Sequence, residues 1–156
     1  MSAPTSTLTA STGLLLRQGE IQTDGWRLIT DENLGKLRSG EKLILPLQRW
    51  LTEGNHESGV WLDSHETVEP LLDALTTIPV IALRFPLFTD GRAYSQARLL
   101  RQRYGYRGEI RAIGDVLRDQ LAYMARCGFD AFALREDQEP QECLAALTEI
   151  SIRYQE

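Results

Sequence analysis

At 156 residues and 42% hydrophobic content, the chain is long enough to bury one core and too short to divide comfortably into two. Its formal charge of −5 excludes the net basic face that a nucleic-acid binder offers to phosphates. Cys127 and Cys143 lie far apart without CxxC or Cys/His ligand spacing, which excludes a disulfide framework and a zinc site and fits a reducing cytoplasm.

The opening MSAPTSTLTAST has no basic segment ahead of an apolar core, so it does not read as a signal peptide. Its small polar residues predict a disordered lead-in over 1–12, followed by a single α/β domain over 13–156. No apolar run approaches the roughly 20 residues that span a bilayer. LLLRQGEIQTDGWRLIT predicts two short strands joined at Thr23-Asp24-Gly25, because Asp-Gly is a strong hairpin signal, and the ribbon is expected on an edge of the main sheet. Residues 31–42 are polar and glycine-punctuated, hence a loop. In LILPLQRWL, Pro46 suits a first helical turn, with Leu47, Trp50 and Leu51 as the apolar side.

After a turn over Glu53 to Ser58, where His56 reads as solvated, strand-helix repetition begins. Gly59 to Leu62 is a strand ending in the loop Asp63-Ser64-His65-Glu66, and Pro70 places the next helix start near Thr67. Val80 to Phe85 is apolar without alternation through its first four residues, as for a strand covered on both faces. Its exit runs from Pro86 to Gly91, and the helix that follows has an apolar stripe of Ala93, Ala97, Leu100 and Tyr104, with Arg92, Arg98 and Arg103 off it and Gly105 as its stop. Glu109 to Ile113 is a third strand, with Asp115 as N-cap of a helix buried along Leu117, Leu121 and Met124 and ended by Gly128. Asp130 to Leu134 is a fourth, and Asp137 or Glu139 opens a last helix with Pro140 in its first turn and Leu144, Leu147 and Ile150 buried. Four such units predict a mainly parallel sheet, either an open, doubly wound, Rossmann-like sheet or a half-barrel.

Parallel strands would gather their exits on one rim: Asp63, Ser64 and His65; Arg84, Asp90, Gly91 and Arg92; Gly114 and Asp115; and Arg135. Helix N-termini with arginine forks nearby predict a small-oxyanion site of Arg84, Asp90, Gly91, Arg92, Gly114, Asp115 and Arg135. The competing reading makes Asp90 and Asp115 ordinary caps with the arginines paired to acids. Arg84, ending an apolar strand, needs a partner wherever it is buried. His65, Asp90 and Asp115 are the candidate acid-base groups, although consecutive loop residues rarely meet nucleophile-base geometry and no G-x-S-x-G elbow is present. Cys127 sits at a helix C-terminus, which disfavours a thiolate, and Cys143 reads as core. Tyr94, Tyr104, Tyr106 and Tyr123, interleaved with arginine, predict either a recognition surface or rings at the core margin. The sequence has no G-x-G-x-x-G or P-loop and no cysteine cluster, so no cofactor and no metal are expected.

The stretch from Phe85 to Phe132 carries Phe85, Phe88, Asp90-Gly91-Arg92, Tyr94-Ser95 and Leu100-Arg101, then Gly108-Glu109, Arg111-Ala112, Gly114 to Leu117, Asp119-Gln120 and Arg126 to Phe132. In these residues, and from about Leu14 to the end, the chain resembles the bacterial "domain of unknown function" family 934. The resemblance implies an accessory protein of assimilatory sulfite reduction, with the sulfite reductase haemoprotein as its partner. It carries an oxidoreductase label but no catalytic residues. Two further expectations stand beside it: a small enzyme acting on an oxyanion-bearing metabolite, and a homodimer that covers the sheet edges.

Overall fold

The computed structural model describes residues 11–30, 41–53, 57–86 and 91–154, and in them one curled sheet of eight strands carries its helices on a single face. One edge is an antiparallel ribbon of β1 (Ser11–Arg17) and β2 (Glu20–Thr23). The other edge is β3 (Arg27–Leu28), followed across the sheet by β4 (Leu43–Pro46), β5 (Gly59–Leu62), β6 (Val80–Phe85), β7 (Glu109–Gly114) and β8 (Ala131–Arg135). Strands β3 to β8 are parallel, and β1 meets β8 antiparallel.

From β4 to β8 each strand lies beside its predecessor. The connections contain α1 (Leu47–Glu53), a 3-10 segment (Glu69–Ala74), α2 (Arg92–Arg98) and α3 (Leu121–Cys127), and α4 (Pro140–Tyr154) follows β8. Right-handed crossovers that keep stepping one way leave all their helices on one side of the sheet, whereas a doubly wound sheet needs a reversal of strand order. The doubly wound alternative is thereby replaced by a curled half-barrel, with five strand-helix units rather than four and an antiparallel edge.

The chain itself forces the curl. β2 and β3 occupy opposite edges, seven strand spacings or roughly 34 Å apart in a flat sheet, yet only three residues separate them in sequence. Four Cα steps reach about 14 Å, so the edges must bend toward each other. Asp24, Gly25 and Trp26 make this crossing on the face away from the helices, where Trp26 packs on the cluster of Ile44, Val80, Ala82 and Ile113, joined by Leu28, Trp61 and Ala133. The Trp61 indole donates to the Ile29 carbonyl at 2.9 Å and fastens the far end of the crossing.

The Asp24-Gly25 hairpin is therefore corrected. The turn is Gln18-Gly19, whose φ values of 57° and 75° are both left-handed, as a two-residue hairpin requires, while Asp24 accepts the Trp26 amide at 2.9 Å. The strand expected to complete that hairpin pairs instead with β4 at the opposite edge. Leu43 to Pro46 is likewise a strand rather than the start of a helix, and Leu51 is 42% exposed rather than on the apolar side. Ser11 is already in β1, inside the stretch expected as a lead-in; residues 1–10, most of the 31–42 loop and His56 lie outside the described residues.

The main core lies between sheet and helices, where Leu62, Leu83, Phe85 and Ile110 meet Trp50, Leu71, Leu100, Leu121 and Met124. All six residues of β6 are buried, because helices cover one face and the Trp26 cluster the other. The predicted stripe on α2 is buried at Ala93, Ala97 and Leu100, and the helix ends in a π-helical turn, Leu99–Arg103, before Gly105 at φ 67°. Gly128 closes α3 in the left-handed conformation. On α4, Cys143 is buried with Leu144 and Leu147 packed against the core, and the Ile150 side chain lies outside the described residues.

Candidate functional site

Parallel pairing places the exits of β5, β6, β7 and β8 along one rim. At β6, Arg84 is 7% exposed, and its Nη1 donates to Asp63 Oδ1 at the β5 exit at 2.5 Å. Asp63 Oδ1 also accepts the Ser64 amide at 2.8 Å, and Glu66 Oε1 folds back to accept the Asp63 amide at 2.8 Å. The expected partner of buried Arg84 is thus a carboxylate at the exit of the neighbouring strand, β5. Around Leu62, Asp63, Glu66, Arg84 and Gln96 the remaining space is about 10 Å³, which is the room of a single water.

At the β7 exit Gly114 has φ 88°, and a Cβ there would lie 2.5 Å from the Phe85 carbonyl oxygen, so this turn requires glycine. The turn lets the Asp115 amide donate to that same carbonyl at 2.7 Å. Asp115 does not cap the following helix. A 3-10 turn, Arg118–Gln120, intervenes before α3, and the Asp115 carboxylate accepts from Arg135 Nη1 instead. Arg135 also grips Asp137 through Nε at 2.9 Å and Nη2 at 2.5 Å, which holds the Asp137 carboxyl below the usual range.

The structure thus brings Asp63 to Arg84 and Asp115 to Arg135. His65 is exposed in the turn after Asp63, Arg92 is exposed at the start of α2, and Gly91 precedes it with an ordinary φ of −85°. Asp90 and Phe88 lie outside the described residues. Among the described residues, no group of three or more His, Cys, Asp and Glu is placed to hold a metal ion, and no helix is long and apolar enough to cross a membrane.

Sequence reasoning missed a second ionic group on the concave face. Arg111, 2% exposed, donates Nε to Glu109 Oε2 at 2.7 Å and Nη1 to both oxygens of Asp24 at 2.9 and 2.8 Å, and Arg17 Nε reaches Glu109 at 3.1 Å. Its signal was present: charges at alternate positions of Glu109-Ile110-Arg111 mark a polar second face on a buried strand. A cleft of about 350 Å³ between Leu117-Arg118-Asp119 and the start of α4 was also unforeseen. Cys143 lines it, and burial pushes this thiol up, away from thiolate chemistry.

The tyrosines divide. Tyr106 is buried, its hydroxyl donating to the Ile78 carbonyl at 2.8 Å, and Tyr94 is buried against Phe85 with ring centroids 4.9 Å apart. Burial pushes both hydroxyls up. Tyr104 is half-buried and Tyr123 is exposed.

The fold and rim define a singly wound α/β half-barrel with an ion-paired strand-exit edge. A family model described as a bacterial protein of unknown function (DUF934) matches residues 59–156, from β5 to the end, and the chain belongs to that family. No curated protein and no solved structure matches the chain.

Proposed function

We propose that this protein is an accessory partner in assimilatory sulfite reduction that docks on the sulfite reductase haemoprotein. The observation that carries a docking role over small-anion capture is the state of the rim arginines. Arg84 and Arg135 are each held by carboxylates, Asp63 for one and Asp115 with Asp137 for the other. An oxyanion that claimed either guanidinium would first have to displace the carboxylate that holds it. Pairing also fixes the loops after β5, β7 and β8, and a preset surface loses less entropy when a protein binds it. The link to sulfite reduction comes from the family resemblance.

The second reading, a small oxyanion bound at the rim or turned over there, keeps Arg92 as its clamp, since Arg92 is exposed at the head of α2. Co-purification decides between them. The full chain mixed with purified haemoprotein at micromolar concentration should co-elute in size-exclusion chromatography with light scattering. Separate elution of the two proteins counts against the docking role.

A further inference from the structure

Residues 91–128 carry eight arginines against three acids, while the rest of the chain carries nine cations against nineteen acids. Glu109 and Asp115 are turned to Arg111 and Arg135, while Arg111 is buried on the concave face, Arg101 pairs with Asp130 and Arg118 with Glu142. Arg92, Arg98, Arg103, Arg107 and Arg126 are exposed. A protein of net charge −5 thus concentrates its positive charge on α2, α3 and their connections.

At the centre of this region stands Tyr123, one of two large hydrophobic side chains exposed among the described residues, at 39%. Its hydroxyl accepts from Arg98 Nη2 at 2.5 Å, and the guanidinium carbons of Arg98 and Arg126 lie 5.4 and 5.8 Å from its ring centroid. Beneath it the Tyr94 ring lies 4.7 Å away, and Tyr94 in turn sits edge-on to Phe85 in the core. A stack anchored in the core therefore ends at the surface in an aromatic ring held between two arginines. Most exposed arginines lose rotamer freedom when they bind. These two are already ordered against the ring, so binding costs less, and Tyr with Arg is the pairing enriched at interface hot spots.

We propose that this α2–α3 face, centred on Tyr123 with Arg98 and Arg126, is the docking surface for an acidic segment of a partner protein. Charge complementarity selects the occupant: guanidinium forks pair bidentately with carboxylates, and the ring supplies apolar area between them. The acidic remainder of the chain repels a long phosphate backbone, which disfavours a nucleic acid. A second copy would have to bring its own acidic surface onto this face, an occupant that the self-association outcome below tests.

The proposal rests on the partner-binding reading, and the test separates the two. The intact chain is titrated with three probes: the haemoprotein, a labelled twelve-residue peptide of alternating Glu and Leu, and a labelled single-stranded DNA twelve-mer. Each titration is run for the natural chain, for Arg98→Glu/Arg126→Glu and for Arg49→Glu, an exposed-helix control, with circular dichroism confirming that each variant is folded. The expected result is saturable binding of the peptide, weakened at least about tenfold in the double variant and unchanged in Arg49→Glu. Equal loss in Arg49→Glu, tighter binding of the DNA, or concentration-dependent self-association abolished by the double substitution would each overturn the proposal. Haemoprotein binding that survives the double substitution sinks this surface and spares the docking role. Peptide binding without haemoprotein binding does the reverse.

Discussion

Asp24→Asn tests the crossing that holds the half-barrel curled. Arg111 has a side chain only 3% exposed, and it is balanced by Asp24 through both carboxylate oxygens and by Glu109. The amide keeps the shape of the carboxylate and removes its charge, so packing stays constant while one half of the compensation disappears. Breaking a buried pair costs about 3–5 kcal/mol; with Glu109 still in place and Asp24 at 18% exposure, the expectation falls to about 2–3 kcal/mol. In urea, with a slope of about 1–3 kcal/mol per molar, the unfolding midpoint should drop by roughly 1 M or more. The double variant Asp24→Leu/Arg111→Met should cost less than the single, because Arg17 continues to pair with Glu109 at 3.1 Å and no buried charge is stranded. A midpoint change in Asp24→Asn equivalent to less than about 0.5 kcal/mol, or a double variant that simply adds two penalties, would refute this reasoning.

The rim pair predicts an asymmetry: Asp63→Ala takes a carboxylate from Arg84, at 8% exposure, and should cost about 3 kcal/mol, whereas Arg84→Met leaves Asp63, at 27%, to water and should cost about 1 kcal/mol. Equal losses in denaturant melts would mean that Arg84 does not depend on Asp63. Gly114→Ala places a Cβ 2.5 Å from the Phe85 carbonyl oxygen at φ 88°, so thermal unfolding should show a loss of about 2 kcal/mol or more, and a neutral result contradicts the assigned turn. Tyr106 keeps its proton in the folded chain beyond the pH at which the unfolded chain loses it, because burial raises its pKa. Its contribution is complete below about pH 10 and is lost as pH rises further, by about 1.4 kcal/mol per pH unit. Tyr106→Phe should lose about 1 kcal/mol at neutral pH with the hydrogen bond to Ile78 and show a shallower alkaline decline; identical slopes would disprove this.

The strands from β5 to β8 were legible because each is a short apolar run closed by a turn residue, and parallel pairing follows from helical segments between them. The pairing of Arg84 was legible too, since a charge that ends a buried strand must be compensated. The edges were not. Asp24-Gly25 has the composition of a hairpin turn, but its carboxylate is taken by Arg111, 87 positions along the chain, and no local pattern encodes that contact. β4 was hidden because three apolar residues before Pro46 read equally as strand or helix. Asp115 looked like a helix cap until β8 brought Arg135 beside it. In each miss a partner distant in sequence outweighed a local preference, and these are the residues that build the concave face and its rim.

The most direct measurement is a pair of calorimetric titrations of the intact chain, one with sulfite and one with the sulfite reductase haemoprotein. The account predicts saturable haemoprotein binding with a Kd of about 1–10 µM, and no saturable sulfite heat up to roughly 10 mM. Tight sulfite binding with no haemoprotein complex would contradict it.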